Sequence, residues 1–422
     1  MRRTTMSLLA FVAVAALAAG CGGGGNDPAP RVLVPQREDD LLYLGTQSSL
    51  TAITPATGHV RFAARGAVPT RDWSMLYQAE VRDATTLLHT IDARTGTALT
   101  TLELPGALQV RTVSDDGALI ALMPLQPGSP DAYRAVPKVA TDLVIVRRGV
   151  EEVQHLSVPA NIEPEAFSLS GATLFVIEYL PAEAPVTYRV AALDLATGTV
   201  GEVRSYDDEL QEPMSGSARA RVLAPDGRRL YTLYTRDATV SHDAESFVHV
   251  LDLDTELATC VDLPELFAAD ERGSLAISPS GTRLYAVSPL GPTIAEVDTA
   301  ALEVGRVTTL PRPDLQGAPT VRAAVTDADT LHVAFGAEVV VVDLATLSVT
   351  DERWTAPGVV TGLEPSNDRG RLYVSLPDGI LAVDARTGVV DKRFTVPTEG
   401  PIDHVAPALR PIVPEPDVRC AC

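Results

Sequence analysis

Six aspartates recur along this chain in one context, with an apolar run before them and a tight turn after. They are Asp92, Asp194, Asp252, Asp298, Asp343 and Asp384, in phrases such as LLHTIDARTG (Leu87–Gly96), VAALDLATG (Val190–Gly198) and ILAVDARTG (Ile380–Gly388). One carboxylate per unit could supply a ring of metal ligands or of acid–base groups. The residues that follow favour another chemistry. In Asp-x-x-Thr-Gly the carboxylate can accept hydrogen bonds from the N–H groups of its own turn, and the glycine takes the left-handed position. These aspartates are expected to be turn caps without a catalytic role.

Other reactive residue types are scattered. The histidines (His59, His89, His155, His242, His249, His332 and His404) show no metal-ligand spacing, and His249 and His332 lie inside strand-like runs where a structural role is expected. No Gly-x-Ser-x-Gly elbow, His-Glu-x-x-His, phosphate loop or Cys-x-x-Cys-His is present. Clustered carboxylates such as Asp207-Asp208-Glu209 read as solvated surface. Three of the four cysteines, Cys260, Cys420 and Cys422, lie far from the N-terminus. Eleven residues from Leu409 to Cys420 reach at most about 36 Å, so a Cys260–tail disulfide is strained for reach. Cys420-Ala421-Cys422 could close on itself or bind a soft metal, but two thiolates are too few for a closed Zn²⁺ site, and a tail with thiols of no set role is the expectation. No catalytic residue, metal or cofactor is predicted.

The spacing of the marker aspartates reveals the elements that must position everything else. Asp252 lies 58 residues after Asp194, and the next steps are 46, 45 and 41 residues. The step of 102 residues from Asp92 to Asp194 holds two units, with TDLVIVRRG (Thr141–Gly149) as a weak member carrying Arg147 at the marker position. LTAITPATG (Leu50–Gly58), with Thr54 there, is the eighth. Such periods mean stacked supersecondary units. Each unit holds about four short runs rich in Val, Leu, Thr and Tyr, bounded by Gly, Pro, Ser and Asp, which read as strands. Turns such as Pro225-Asp226-Gly227 and Pro279-Ser280-Gly281 separate them. The fold class predicted is all-β, a β-propeller of four-stranded antiparallel blades.

The stretch SPSGTRLYAVSPLGPTIAEVDTAALEVGRVTTL (Ser278–Leu310) resembles the YVTN-type β-propeller repeat, and APDGRRLYTLY and NDRGRLYVSL match the same pattern. The resemblance covers roughly residues 41–409. The DARTG and DLATG turns are also similar to PQQ-type propeller repeats, although the tryptophans expected after those turns are missing; Trp73 and Trp354 are the only two. The first unit opens with three strands, LLYLGTQ, TAITPATG and HVRFAAR, and lacks its innermost one. The segment IDHVAPAL (Ile402–Leu409) reads as a lone inner strand that fills the gap, so the N- and C-terminal strands pair and leave no open edge. Eight blades are expected, with seven as the alternative.

At the N-terminus, Arg2 and Arg3 precede the apolar run Leu8–Ala19 and the sequence Leu17-Ala18-Ala19-Gly20-Cys21. This reads as a secretory signal over residues 1–20. Its end resembles a bacterial lipobox, departing from it in having Leu17 four residues before the cysteine. The resemblance implies that Cys21 becomes a lipidated, N-acylated first residue, with residues 21–40 as a flexible tether. Acyl chains at about 0.8 kcal/mol per buried CH₂ anchor without a spanning helix. The expected location is the non-cytoplasmic side of the outer or cytoplasmic membrane, with the propeller over residues 41–409 and a Pro-rich tail over 410–422.

The formal charge is −21. Loss of Arg2 and Arg3 on processing would make it −23, which excludes nucleic acid as a partner. The partners expected are the membrane, through the anchor, and an envelope protein or small-molecule ligand. The long insertions, Gln126–Thr141, Leu180–Thr187, Tyr206–Ser217 and Thr235–Ser246, all fall in second-to-third strand loops or links between units, and all belong to units three to five. Loops elaborated on one sector of a rigid scaffold commonly serve recognition. The candidate binding surface is therefore Tyr133, Arg134, Lys138, Asp207, Asp208, Arg236, His242 and Asp243. The function expected is a binding or scaffolding module. The alternative is a lactonase-like or quinoprotein-like enzyme with its site in the central channel, which fold analogy alone does not assign.

Overall fold

The computed structural model describes residues 41–125, 136–150, 152–206, 213–214, 217–235, 246–265, 267, 273–288, 292–311 and 320–407. These form eight four-stranded antiparallel sheets, with no helix among the described residues. Each sheet is one blade. From the axis outward, blade three runs Leu108–Val113, Leu119–Pro124, Thr141–Arg147 and Glu152–Val158. The other blades repeat that order, and first strands of neighbouring blades contact one another from blade two to blade four and from blade five through blade eight to blade one. Blade one is the exception that closes it. Its innermost strand is His404–Pro407, paired antiparallel with Leu42–Gly45 in the register Gly45↔His404 to Leu42↔Pro407. The propeller therefore has eight blades.

Eight apolar clusters form the core, one in each cleft between neighbouring blades. A sheet packed on both faces needs strands apolar at every position. In blade seven, Val340 and Val342 pack toward blade six while Val339 packs toward blade eight. This is why mostly apolar runs precede the markers, unbroken at Val339–Val342 and interrupted elsewhere by His89, Thr90, His249 and Glu296. Burial also holds the imidazoles of His249 and His332 down to about 4, so both are neutral core residues.

The markers end the third strands, where their carboxylates bind the turns. Asp194 Oδ1 accepts from Ala196 N at 2.9 Å and Thr197 N at 2.8 Å, and Asp384 Oδ1 accepts from Arg386 N at 3.1 Å and Thr387 N at 2.8 Å. Asp92, Asp252 and Asp298 each bind two N–H groups in the same way, and Asp343 binds that of Thr346. A second repeated cap holds the first-to-second strand turns. Ser114, Ser168, Ser278 and Ser366, with Thr70, each accept the N–H of the residue five positions on.

The marker turns also latch the ring. The left-handed Gly388 lies under Trp354 of the preceding blade, where a Cβ would stand 2.5 Å from Cδ1. Phe62 covers Gly96, Phe394 covers Gly58 and Leu156 covers Gly198 in the same manner. The role expected of tryptophans is filled by whichever large apolar side chain the preceding outer strand offers.

Candidate functional site

The first-to-second and third-to-fourth strand turns occupy one face of the ring, and the second-to-third loops and inter-blade links the other. The four insertions begin and end at strand boundaries on the loop face of blades three, four and five. The innermost strands of the same blades depart from the rest of the ring. Each contains a β-bulge, between Val110 and Thr112, between Pro164 and Ala166, and between Ala218 and Ala220. The five other innermost strands pair without a register shift. A bulge adds an unpaired residue and re-aims its side chain. The residues so placed are Arg111, Glu165 and Arg219.

These side chains, with Gln109, Glu163 and Arg221, make a charged wall, whereas the corresponding strands of blades six, seven and eight, SLAI (Ser274–Ile277), VRAAV (Val321–Val325) and GLEP (Gly362–Pro365), carry between them only Arg322 and Glu364. Arg111 of blade three pairs with Glu163 of blade four. Arg221 Nη2 of blade five lies 2.6 Å from Glu165 Oε1 of blade four. Arg219 Nε donates to Thr235 Oγ1 at 2.7 Å, at the root of the blade-five insertion. Glu165 is enclosed, and burial raises its carboxyl against the opposing pull of Arg221.

The insertions reach this wall through Lys138, which donates from Nζ to the Ile162 carbonyl at 3.2 Å. Burial first, then repulsion from the Arg111 guanidinium, brings its ammonium down to about 8. Asn161, buried at the start of the blade-four inner strand, ties two insertions together. Its Nδ2 donates to Val136 O and to Ala182 O, both at 3.0 Å, and Lys138 N donates to Ala182 O at 3.1 Å. Of the sequence-predicted surface, Lys138 thus stands at the rim of the channel. Tyr133, Arg134, Asp207, Asp208, Arg236, His242 and Asp243 lie outside the described residues, as do Cys21, Cys420 and Cys422. Cys260 is exposed on the outermost strand of blade five.

The turn-face end of the channel is spanned by one side chain. Arg71, in a turn of blade two, donates from Nη1 to Asp115 of blade three at 3.1 Å and from Nη2 to the Pro225 carbonyl of blade five. Reaching a blade three places round the ring carries the guanidinium across the opening. Elsewhere, a 380 Å³ hollow between blades two and three, lined by Pro105, Leu108, Pro124, Asp142, His155 and Ser157, gathers no comparable set of charges. Among the described residues no group of His, Cys, Asp and Glu could hold a metal ion.

Sequence reasoning named loops of blades three to five and did not name the inner-strand residues of those blades. The available signal was length: the inner strands LQVRTV, IEPEAF and SARARVL have six, six and seven residues, while those of blades six to eight have four or five.

No family model and no curated protein sequence matches this chain. Among solved structures, it is similar to dihydro-heme d1 dehydrogenase NirN in complex with DHE, at 15% identity over 90% of this chain and 79% of that one, with a TM-score of 0.54. It is similar also to apo AztD from Citrobacter koseri, at 11% identity over 87% of this chain and 97% of that one, with a TM-score of 0.53. At these identities the likeness is one of fold, the β-propeller.

Proposed function

We propose that this chain is a solute-binding β-propeller lipoprotein of the bacterial cell envelope, taking a small polar molecule at the loop-face mouth of its channel in blades three to five. The observation that carries the reading is the set of three inner-strand bulges, each presenting a charged side chain, confined to the three blades that also carry insertions. Fold maintenance does not require them, because five blades close the ring without such bulges. The span of Arg71 over the turn-face end supports entry from the loop face. The Leu17–Cys21 motif supports the lipid anchor, and the YVTN-type likeness of Ser278–Leu310 fits a repeat scaffold.

The test is calorimetric titration of the purified full chain with neutral, anionic and cationic small solutes. The expected result is one-to-one binding that is lost when both ion pairs and the third bulge residue are neutralised together, as Arg111→Gln, Glu163→Gln, Glu165→Gln, Arg221→Gln and Arg219→Gln, while the β-sheet circular dichroism is kept. Unchanged affinity in that variant would exclude the channel wall as the site. For the anchor, Cys21→Ser is expected to abolish incorporation of labelled palmitate and release the chain from membranes; labelling that persists would refute lipidation at Cys21.

A further inference from the structure

Building on the solute site just proposed, we infer that its ligand is a small oxyanion, a solute presenting a carboxylate or phosphate group to Arg221 and its neighbours. The wall contains both signs of charge, so the argument turns on which sign a visitor meets. In the pair between blades four and five, the Arg221 side chain is 42% exposed and that of Glu165 only 8%. The guanidinium is the accessible half, and the carboxylate lies behind it as its support. Arg111 and Glu163 are exposed to similar degrees and offer no bias of their own. Lys138 and Arg219 add cations beside them, so the described charged groups of the wall and rim are Arg111, Lys138, Arg219 and Arg221 against Glu163 and Glu165.

The setting strengthens the bias. The chain as a whole carries −21, yet these cations are gathered in a channel whose far end is crossed by Arg71. Cations concentrated in a low-dielectric cleft focus their field on an incoming anion. Arginine is also the side chain whose planar fork matches a carboxylate or phosphate in two parallel hydrogen bonds. Glu165 already shows a carboxylate resting against Arg221, through one contact from Nη2. The partly buried Lys138 ammonium, repelled by Arg111, would gain from a negative charge placed between them.

The experiment is titration calorimetry on the purified full chain with succinate, citrate, inorganic phosphate and glucose 1-phosphate, set against glucose, choline, spermidine and Zn²⁺. At least one of the anions is expected to bind, with affinity falling as sodium chloride is raised, and the carboxylate and phosphate arms separate the two chemistries. Because Arg221→Gln alone would leave Glu165 buried without its partner, the diagnostic variant is Arg221→Gln with Glu165→Gln. That pair is neutral and can still hydrogen-bond. It should keep the wild-type melting transition and lose roughly tenfold in anion affinity, the scale of one charge-assisted hydrogen bond. Binding of a neutral or cationic solute but no anion would overturn this inference and leave the solute site standing. Anion binding unaffected in the double variant would overturn it too. Failure of every solute in both panels would overturn the inference and the solute-binding function together.

Discussion

Gly388 provides the most direct test of how the blades are held together. Its φ is +69°, and a Cβ built there would lie 2.5 Å from Trp354 Cδ1 and 3.1 Å from Cγ and Nε1. Carbon atoms pack comfortably at about 3.5–4.0 Å, so the indole would have to retreat by roughly 1 Å. Gly388→Ala thus combines two costs. The left-handed backbone costs about 1–2 kcal/mol for any residue with a Cβ, and overpacking against the indole adds about 1–3 kcal/mol. Gly66→Ala separates them, because Gly66 has φ +57° and nothing within 4 Å of its Cβ position. Urea unfolding, read as midpoints at a common slope, should show Gly388→Ala more destabilising than Gly66→Ala by about 1–3 kcal/mol. In a Trp354→Ala background that excess should vanish, because the space is then open. Equal losses at the two glycines, or an excess that survives removal of the indole, would refute the latch.

Four further outcomes follow from named contacts. Burial pushes the Glu364 carboxyl up to about 7 from its ordinary 4.5, so the folded chain holds a proton that the unfolded chain releases across that window and stability declines as pH rises through it. The residue keeps some exposed surface but its carboxyl is packed round by protein; Glu364→Gln should match wild type below pH 4.5 and exceed it at pH 8 by at most on the order of 3 kcal/mol, whereas parallel urea midpoints across the range would contradict the assignment. Arg71→Ala should open the turn-face end and raise the association and dissociation rates of a bound solute together, which stopped-flow mixing can read; unchanged rates would mean that Arg71 does not close that end. Truncation after Gly400 removes Ile402 and Val405 from the core between blades eight and one, each worth about 1.5–3 kcal/mol, and should lower the melting temperature and expose Leu42–Gly45 to protease. Asp384→Ala should cost about 1 kcal/mol for its turn bonds and Asp384→Asn less, with no change in solute binding; a binding defect would move that aspartate from scaffold to site.

Different physics explains why the frame was readable from the sequence and the site was not. The marker aspartates, the apolar runs before them and the closing strand are local signals, because a turn bonds to itself and a strand buried on both faces must be apolar throughout. Val339–Val342 and Asp343 say this within five residues. A bulge is instead a mismatch between two strands. Nothing in LQVRTV alone reveals that Thr112 pairs with Ala121 while Arg111 stands outside the ladder. The latch is hidden for a similar reason. Phe62, Leu156, Trp354 and Phe394 answer to a glycine one blade further on, so the requirement is for bulk at a distance and not for one residue type. The insertions direct attention to loops, whereas the wall lies on the innermost strands of the same blades.

A ring closed by its own ends is what allows three of its blades to depart from the pattern. Each blade packs on two neighbours, and the middle strands carry most of each apolar cluster while the outermost ones carry the latches. An inner strand can then take an extra residue and a charge with little consequence for the clefts. In blade four Ile162 and Phe167 stay in the core beside blade three while Glu163 and Glu165, between them in sequence, turn to their arginines. The charges also depend on one another across the blade boundaries. Glu165 without Arg221 is a buried, unpaired carboxylate, a situation that costs several kcal/mol when one partner is removed. The wall therefore had to arise as pairs across adjacent blades, which accounts for its confinement to one contiguous sector of the ring.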